Sequence, residues 1–234
     1  MSAARASEEP VPQLTAEERA RLAPIYAERL EAAYGDPHAA LSFANAYQLL
    51  IAVILSAQTT DVGVNKATPA LFARYPSPND LAEADQLEVD AYVRTLGFYH
   101  QKAKNIIKTA QCIVAEYGGH VPDTMEGLTS LAGVARKTAN IVLGEAFGKV
   151  EGIAVDTHVY RLAHRFGLTT ERDQDKVERD LMAIFPRDHW HRVNYDLITH
   201  GRRVCTAKRP ACGTCFLEDV CPSAHVPTGW RAEL

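Results

Sequence analysis

Four of the five cysteines in this 234-residue sequence crowd together as Cys205, Cys212, Cys215 and Cys221, with the spacing C-x6-C-x2-C-x5-C. Thiolates are soft ligands, and four within 17 residues can converge on one metal centre. Disulfides need an oxidising compartment, for which nothing in the chain argues. Structural zinc is the natural rival, but zinc sites usually show two close pairs and here only one pair is close. The spacing favours an iron–sulfur cubane and leaves zinc open. Lys208 and Arg209 lie between the first two cysteines, so an anchored loop would fix two cations at the surface as a phosphate clamp. The plainer alternative is a staple for a C-terminal end too small to build a core of its own. Cys112 stands apart beside the apolar face of a helix and is read as a packing residue.

A second feature is a pair of short helices. Asp123-Thr-Met-Glu126 reads as an N-cap with its reciprocal carboxylate, opening a helix with Met125, Leu128 and Leu131 on one face. Gly133 breaks that helix, and residues 136–147 read as the next one. Such a hairpin can offer backbone N–H groups and a helix N-terminus to a phosphate, although most hairpins of this kind only pack.

Around these features the periodicity is helical almost everywhere. Apolar residues recur from Ala103 to Tyr117 until Gly118 and Gly119 stop the run, and Val177, Leu181, Ile184 and Phe185 mark another helix closed by Pro186. Leu49 to Ala57 is apolar nearly all round, as suits a helix at the centre of a core. No alternating strand pattern recurs, so the fold is expected to be all-α. No apolar run approaches the roughly 18 residues of a membrane helix, and residues 1–20 resemble neither a signal nor a transit peptide. A soluble, cytoplasmic protein is expected. The net charge of −4 is unhelpful for a DNA binder, but residues 1–38 hold 4 basic and 7 acidic side chains, leaving 21 against 22 elsewhere. Two stretches are purely basic, one with Arg94, Lys102, Lys104 and Lys108, the other with Arg202, Arg203, Lys208 and Arg209. Charge permits nucleic-acid binding without arguing for it.

The cysteine pattern, Leu131-Ala-Gly-Val-Ala-Arg-Lys-Thr-Ala-Asn140, Val155-Asp-Thr-His158 and the block from Leu50 to Lys66 together resemble the endonuclease III family, in order and in separation. The resemblance spans roughly residues 22–222. It implies two helical domains flanking a DNA-binding cleft: a six-helix domain over 39–150 with a helix–hairpin–helix at about 124–147, and a cluster domain from 22–38 plus 151–225. A flexible extension over 1–21 and a tail over 226–234 complete the expectation. Lys137 matches the family's nucleophile, Asp156 its catalytic carboxylate, and the four cysteines its [4Fe–4S] ligands. Gln58 matches the residue that fills the hole left by an extruded nucleotide. Phe98 stands where the family usually has a leucine wedge. Gly133, Ala135 and Arg136 fall in the hairpin, and with Lys208 and Arg209 they are the expected DNA contacts. Two positions depart from the pattern: Ala132 replaces a proline and Ala135 a glycine. A Cβ at 135 would obstruct a phosphate, or cost on the order of 1 kcal/mol if φ is positive there.

The implied activity is that of a bifunctional glycosylase and abasic-site lyase, monomeric, acting on oxidised pyrimidines in damaged double-stranded DNA. An amine can attack sugar C1′, expel the base and leave a Schiff base that acidifies the C2′ proton for β-elimination. Asp156 would stabilise cationic charge on the sugar or take the lysine's proton, while doubling as a helix N-cap. His158 suits orienting or packing. Adenine-mismatch glycosylases carry a glutamate near the place of Val53 and lack the lysine, and thymine-mismatch enzymes usually have another residue there; neither pattern is met. A non-catalytic DNA-binding or redox-sensing protein would have no use for Lys137 and Asp156 together.

Overall fold

The computed structural model describes residues 13–35 and 40–224; the expected tail over 226–234 and the first 12 residues of the expected extension lie outside the described residues. In chain order the helices are α1 (Ala16–Tyr34), α2 (Ala46–Ser56), α3 (Asp61–Arg74), α4 (Pro78–Ala82), α5 (Gln86–Val93), α6 (Tyr99–Tyr117), α7 (Met125–Thr129), α8 (Arg136–Phe147), α9 (Thr157–Arg165), α10 (Gln174–Ile184) and α11 (Trp190–Arg203). Short 3-10 turns follow at Cys212–Thr214 and Glu218–Val220. The described residues contain no strand, and the all-α expectation holds. Among them no helix is long and apolar enough to cross a membrane.

These residues divide into two compact units, one of residues 40–151 and one of residues 13–35 with 152–224. At the centre of the first lies α2, buried without a break from Leu49 to Leu55. A helix apolar on every side must be surrounded, and α3, α6 and α8 pack on it. Asn45 caps its start, accepting from the Gln48 amide at 2.9 Å. Among the described residues this unit holds α2 to α8, more than the six helices expected. Among the short helices of this unit, α4 starts where Ser77 and Asp80 cap it reciprocally around Pro78. Long α6 presents Ala103, Ile106, Ile107, Ala110 and Ile113 to the core and ends at Gly118, whose φ of 59° suits glycine.

The second unit has its own core. Leu22, Ala23, Tyr26, Ala27 and Leu30 of α1 pack against α10 and α11, and α9 packs on both of those. Tyr26 stacks on Phe166 at 4.7 Å between ring centroids, and its hydroxyl donates to the Val220 carbonyl at 2.8 Å. Helix α1 therefore clasps the cysteine-rich segment, and Arg29 reinforces the clasp through Asp219 and the Phe216 carbonyl. The start of α1 corrects the sequence reading. Residues 16–21, taken as part of a loose extension, are helical because Thr15 and Glu18 form a reciprocal capping box.

Leu50 is fully buried in α2. Leu50→Ala is expected to lower stability by about 2–5 kcal/mol, read from urea denaturation of the cluster-loaded protein; a loss below about 1 kcal/mol would contradict the central place given to α2.

Candidate functional site

The hairpin forms, with its cap shifted by one residue. Thr124, not Asp123, caps α7 by accepting from the Gly127 amide at 3.1 Å. Asp123 is taken instead by Lys149, 26 residues on, with Nζ 2.5 Å from its Oδ2, a bond that holds the carboxyl below its usual range. This ion pair ties the start of α7 to the residue just beyond α8. The turn between them needs glycine: Gly133 has a φ of 78°, and a Cβ there would lie 2.7 Å from Asn105 Nδ2. One helical turn further along α6, Thr109 donates to the Ala132 carbonyl at 2.9 Å. The turn is thus braced on α6, and that bond holds the chain where the family's proline is missing. Ala135 has a φ of −90°, so no conformational cost falls on its Cβ. It gives α8 no side-chain cap, and Lys137 stands exposed in the first turn that follows.

Gln58 and Phe98 are the only non-glycine residues with positive φ among those described, at 53° and 56°. A left-handed backbone costs an ordinary residue about 1–2 kcal/mol, and such strain collects where a side chain must be aimed. Both side chains are exposed, Phe98 by 70%. A large exposed aromatic on a strained residue at the head of a helix is poorly explained by packing. Lys102, one member of the basic stretch from Arg94 to Lys108, is only 5% exposed, and burial pushes its ammonium below the ordinary lysine value.

Asp156 is the N-cap of α9. Its Oδ1 accepts from the His158 and Val159 amides, each at 2.8 Å, and among the described residues Oδ2 has no hydrogen bond. One oxygen thus fixes the side chain on the helix start. His158 is held at its Nδ1 by Arg161 at 3.1 Å, and burial lowers its pKa, so it is neutral at physiological pH with its proton on Nε2. Gly201 makes room for this pair, since a Cβ there would lie 2.9 Å from both side chains.

Cys205, Cys212, Cys215 and Cys221 line one cavity, with Phe166 and His200 among its walls. No three His, Cys, Asp or Glu side chains among the described residues converge closely enough to hold a single ion. Four thiols lining one cavity are the donor set a cubane needs, one sulfur to each iron. Burial pushes the Cys221 thiol up to about 12 and raises that of Cys215, so binding iron must displace protons from them. The surrounding donors were not legible in the sequence. Arg165, 6% exposed, reaches Cys205 Sγ at 3.3 Å and the carbonyls of Thr206 and Ala207 at 2.8 and 2.9 Å. The Leu217 amide donates to Cys215 Sγ at 3.4 Å. His200 lies 3.5 Å from the same sulfur through Nε2 and 2.8 Å from the Tyr34 hydroxyl through Nδ1. Burial lowers His200 to about 4 and raises Tyr34 to about 12. A neutral ring that accepts from Tyr34 keeps its one N–H for the sulfur. The available signal was weak: Arg161 and Arg165 are cations spaced by four on a helix whose neighbouring positions, Leu162 and Ala163, are buried. Lys208 and Arg209 are exposed on the loop that Arg165 holds.

Comparison with known proteins gives this arrangement its context. Residues 51–187 match the HhH-GPD superfamily of base excision DNA repair proteins, and residues 205–221 match the iron–sulfur binding domain of endonuclease III. The chain is 49% identical to the endonuclease III of Synechocystis sp. over 84% of its length and 90% of that protein's. It is 42% identical to the Escherichia coli K12 endonuclease III, over 79% of this chain and 87% of the other. A trapped covalent endonuclease III–DNA intermediate with an estranged adenine superposes with a TM-score of 0.83 at 37% identity, covering 91% of this chain and 98% of that one.

Arg165→Met keeps much of the side chain's bulk but strands several acceptors. It is expected to cost about 3 kcal/mol and to speed loss of the cluster's visible absorbance under chelator; unchanged retention would remove Arg165 from the support of the sulfurs.

Proposed function

Because this chain belongs to the endonuclease III family of HhH-GPD base excision DNA repair proteins, we propose that Lys137 is its nucleophile and Asp156 its catalytic carboxylate, acting on oxidised pyrimidines in duplex DNA. The enzyme is a DNA glycosylase and abasic-site lyase that carries a [4Fe–4S] cluster. The observation that carries the residue assignment is the exposure of Lys137 on an uncapped first turn, directly after a glycine turn braced from α6.

The chemistry then follows from the side chains. The first-turn amides and the positive end of α8 draw a phosphate to the hairpin through Gly133, Ala135 and Arg136. Gln58 and Phe98 enter the stack and replace the extruded nucleotide. The neutral Lys137 amine attacks C1′, and the glycosidic bond breaks with its electron pair leaving on the base. The open Oδ2 of Asp156 takes the proton given up by the amine, or stabilises the positive charge that develops on the sugar. The amine adduct then opens, the C1′–O4′ bond breaking as O4′ takes a proton, to leave a Schiff base that acidifies C2′–H; loss of that proton expels the 3′ phosphate oxygen and cuts the strand. Cys205, Cys212, Cys215 and Cys221 would hold the cluster, whose contribution is to anchor the loop carrying Lys208 and Arg209 against the DNA backbone. The unit of residues 40–151 serves as the hairpin domain and the other as the cluster domain. Action as a monomer, in the cytoplasm, completes the proposal.

Lys137→Gln is expected to slow release of thymine glycol by roughly 10³-fold or more, and Asp156→Asn by roughly 10²–10⁴-fold. Asparagine also caps helices, so the second variant separates chemistry from folding. Single-turnover rates and binding to an abasic-site analogue check this: near-normal rates with either variant would end that residue's assignment.

A further inference from the structure

The lysine buried in α6 has no part in the chemistry above, yet it touches the strained segment that the chemistry needs. Lys102 follows Phe98 by one helical turn, and its Nζ donates to Thr59 Oγ1 at 2.5 Å. The Thr59 hydroxyl reaches back to the Ala57 carbonyl at 3.4 Å, and the Thr59 amide donates to the Ser56 carbonyl at 3.0 Å. Ala57 and Thr59 are the two neighbours of Gln58. The run from ammonium to hydroxyl to carbonyl therefore bridges over the one left-handed residue of this connection. On its other side the Gln58 carbonyl lies by Gly97, where a Cβ would be 3.7 Å away, and Gly97 precedes Phe98. The two left-handed residues are thus neighbours in space, and Lys102 joins the segments that carry them.

Packing alone does not explain a lysine here. Ammonium groups are almost never buried without a polar partner, and a methionine would fill the space at less cost. What methionine lacks is the donor to Thr59. We propose that Lys102 is a positioning residue whose ammonium, through the Thr59 hydroxyl, locks residues 57–59 in the arrangement that aims Gln58 and ties them to the turn that aims Phe98. The inference rests on the reading of Gln58 and Phe98 as the residues that enter the duplex. The same face of α6 continues to Asn105, which lies against Gly133, and to Thr109, which bonds the Ala132 carbonyl, so a shift at Lys102 would change the spacing between the two DNA-entering side chains and the hairpin.

The test compares one lesion in two settings, using the full-length, cluster-loaded enzyme. Thymine glycol is placed opposite adenine in a duplex, and in a bulge that lacks the opposite nucleotide. A wedge matters for the first and little for the second, where the base is already unpaired. Single-turnover base release is measured for Lys102→Met, Thr59→Val, Thr59→Ser and Gln58→Ala. Lys102→Met and Thr59→Val should lose about tenfold on the paired lesion and stay within about twofold of wild type on the bulge, while Thr59→Ser, which keeps the hydroxyl, stays within about twofold on both. Equal losses on both substrates, or none on either, would overturn the inference. A selective loss in Gln58→Ala that Lys102→Met and Thr59→Val do not share would overturn it alone. No selective loss in Gln58→Ala would overturn the reading of Gln58, and the inference with it.

Discussion

A glycosidic bond inside a stacked duplex can be reached only if something takes the place of the departing base, and that something must be held stiffly against the recoil of the stack. In the unit of residues 40–151 this constraint falls on α6. Phe98 at its head, then Lys102, Asn105 and Thr109, follow one another at steps of four, three and four residues along one face. Phe98 is the proposed wedge, Lys102 bonds Thr59 beside Gln58, Asn105 lies against Gly133, and Thr109 bonds the Ala132 carbonyl in the turn before Lys137. The eleven residue steps from Phe98 to Thr109 span about 16 Å, a rigid rule between the proposed wedge and the hairpin. The hydrophobic face of the same helix roots it on α2, whose burial on all sides makes it the least displaceable element of that core. Two strained residues persist because the packing around them leaves no cheaper arrangement.

The other unit solves a different problem. Its final 20 or so described residues form only short turns and contribute few apolar side chains, with Leu217 the one fully buried. A cluster bound to four sulfurs supplies the cohesion that this segment cannot draw from a core. Arg165 and the Tyr34–His200 pair hold the sulfur-bearing loops from α1, α9 and α11. The same α9 begins at Asp156, so the helix that ends on the cluster begins on the proposed catalytic carboxylate.

What the sequence revealed and what it hid have physical reasons. Helices with strong apolar periodicity, such as α6 and α10, were legible because their cores are written at steps of three and four. The four cysteines were legible as a metal centre because ligand spacing is local. The first turn of α1 was not, since its acidic, alanine-rich residues lack an apolar stripe. Asp123 was misread as a cap because its true partner, Lys149, is 26 residues away. Lys102 and Arg165 were unreadable in principle: nothing local distinguishes a buried cation from a solvated one until tertiary contacts are known. Gln58 and Phe98 came from family resemblance, and the positive φ they share is an independent mark of them that sequence does not carry.

The central claim is that Lys137 bonds covalently to the sugar. The most direct measurement is borohydride reduction of the enzyme with a duplex carrying thymine glycol or an abasic site, followed by proteolysis and mass mapping of the adduct. The account predicts a stable protein–DNA adduct whose cross-linked peptide carries the sugar on Lys137, and no adduct from Lys137→Gln. Base release without an adduct, or a cross-link on any other amine in the wild-type enzyme, would contradict it.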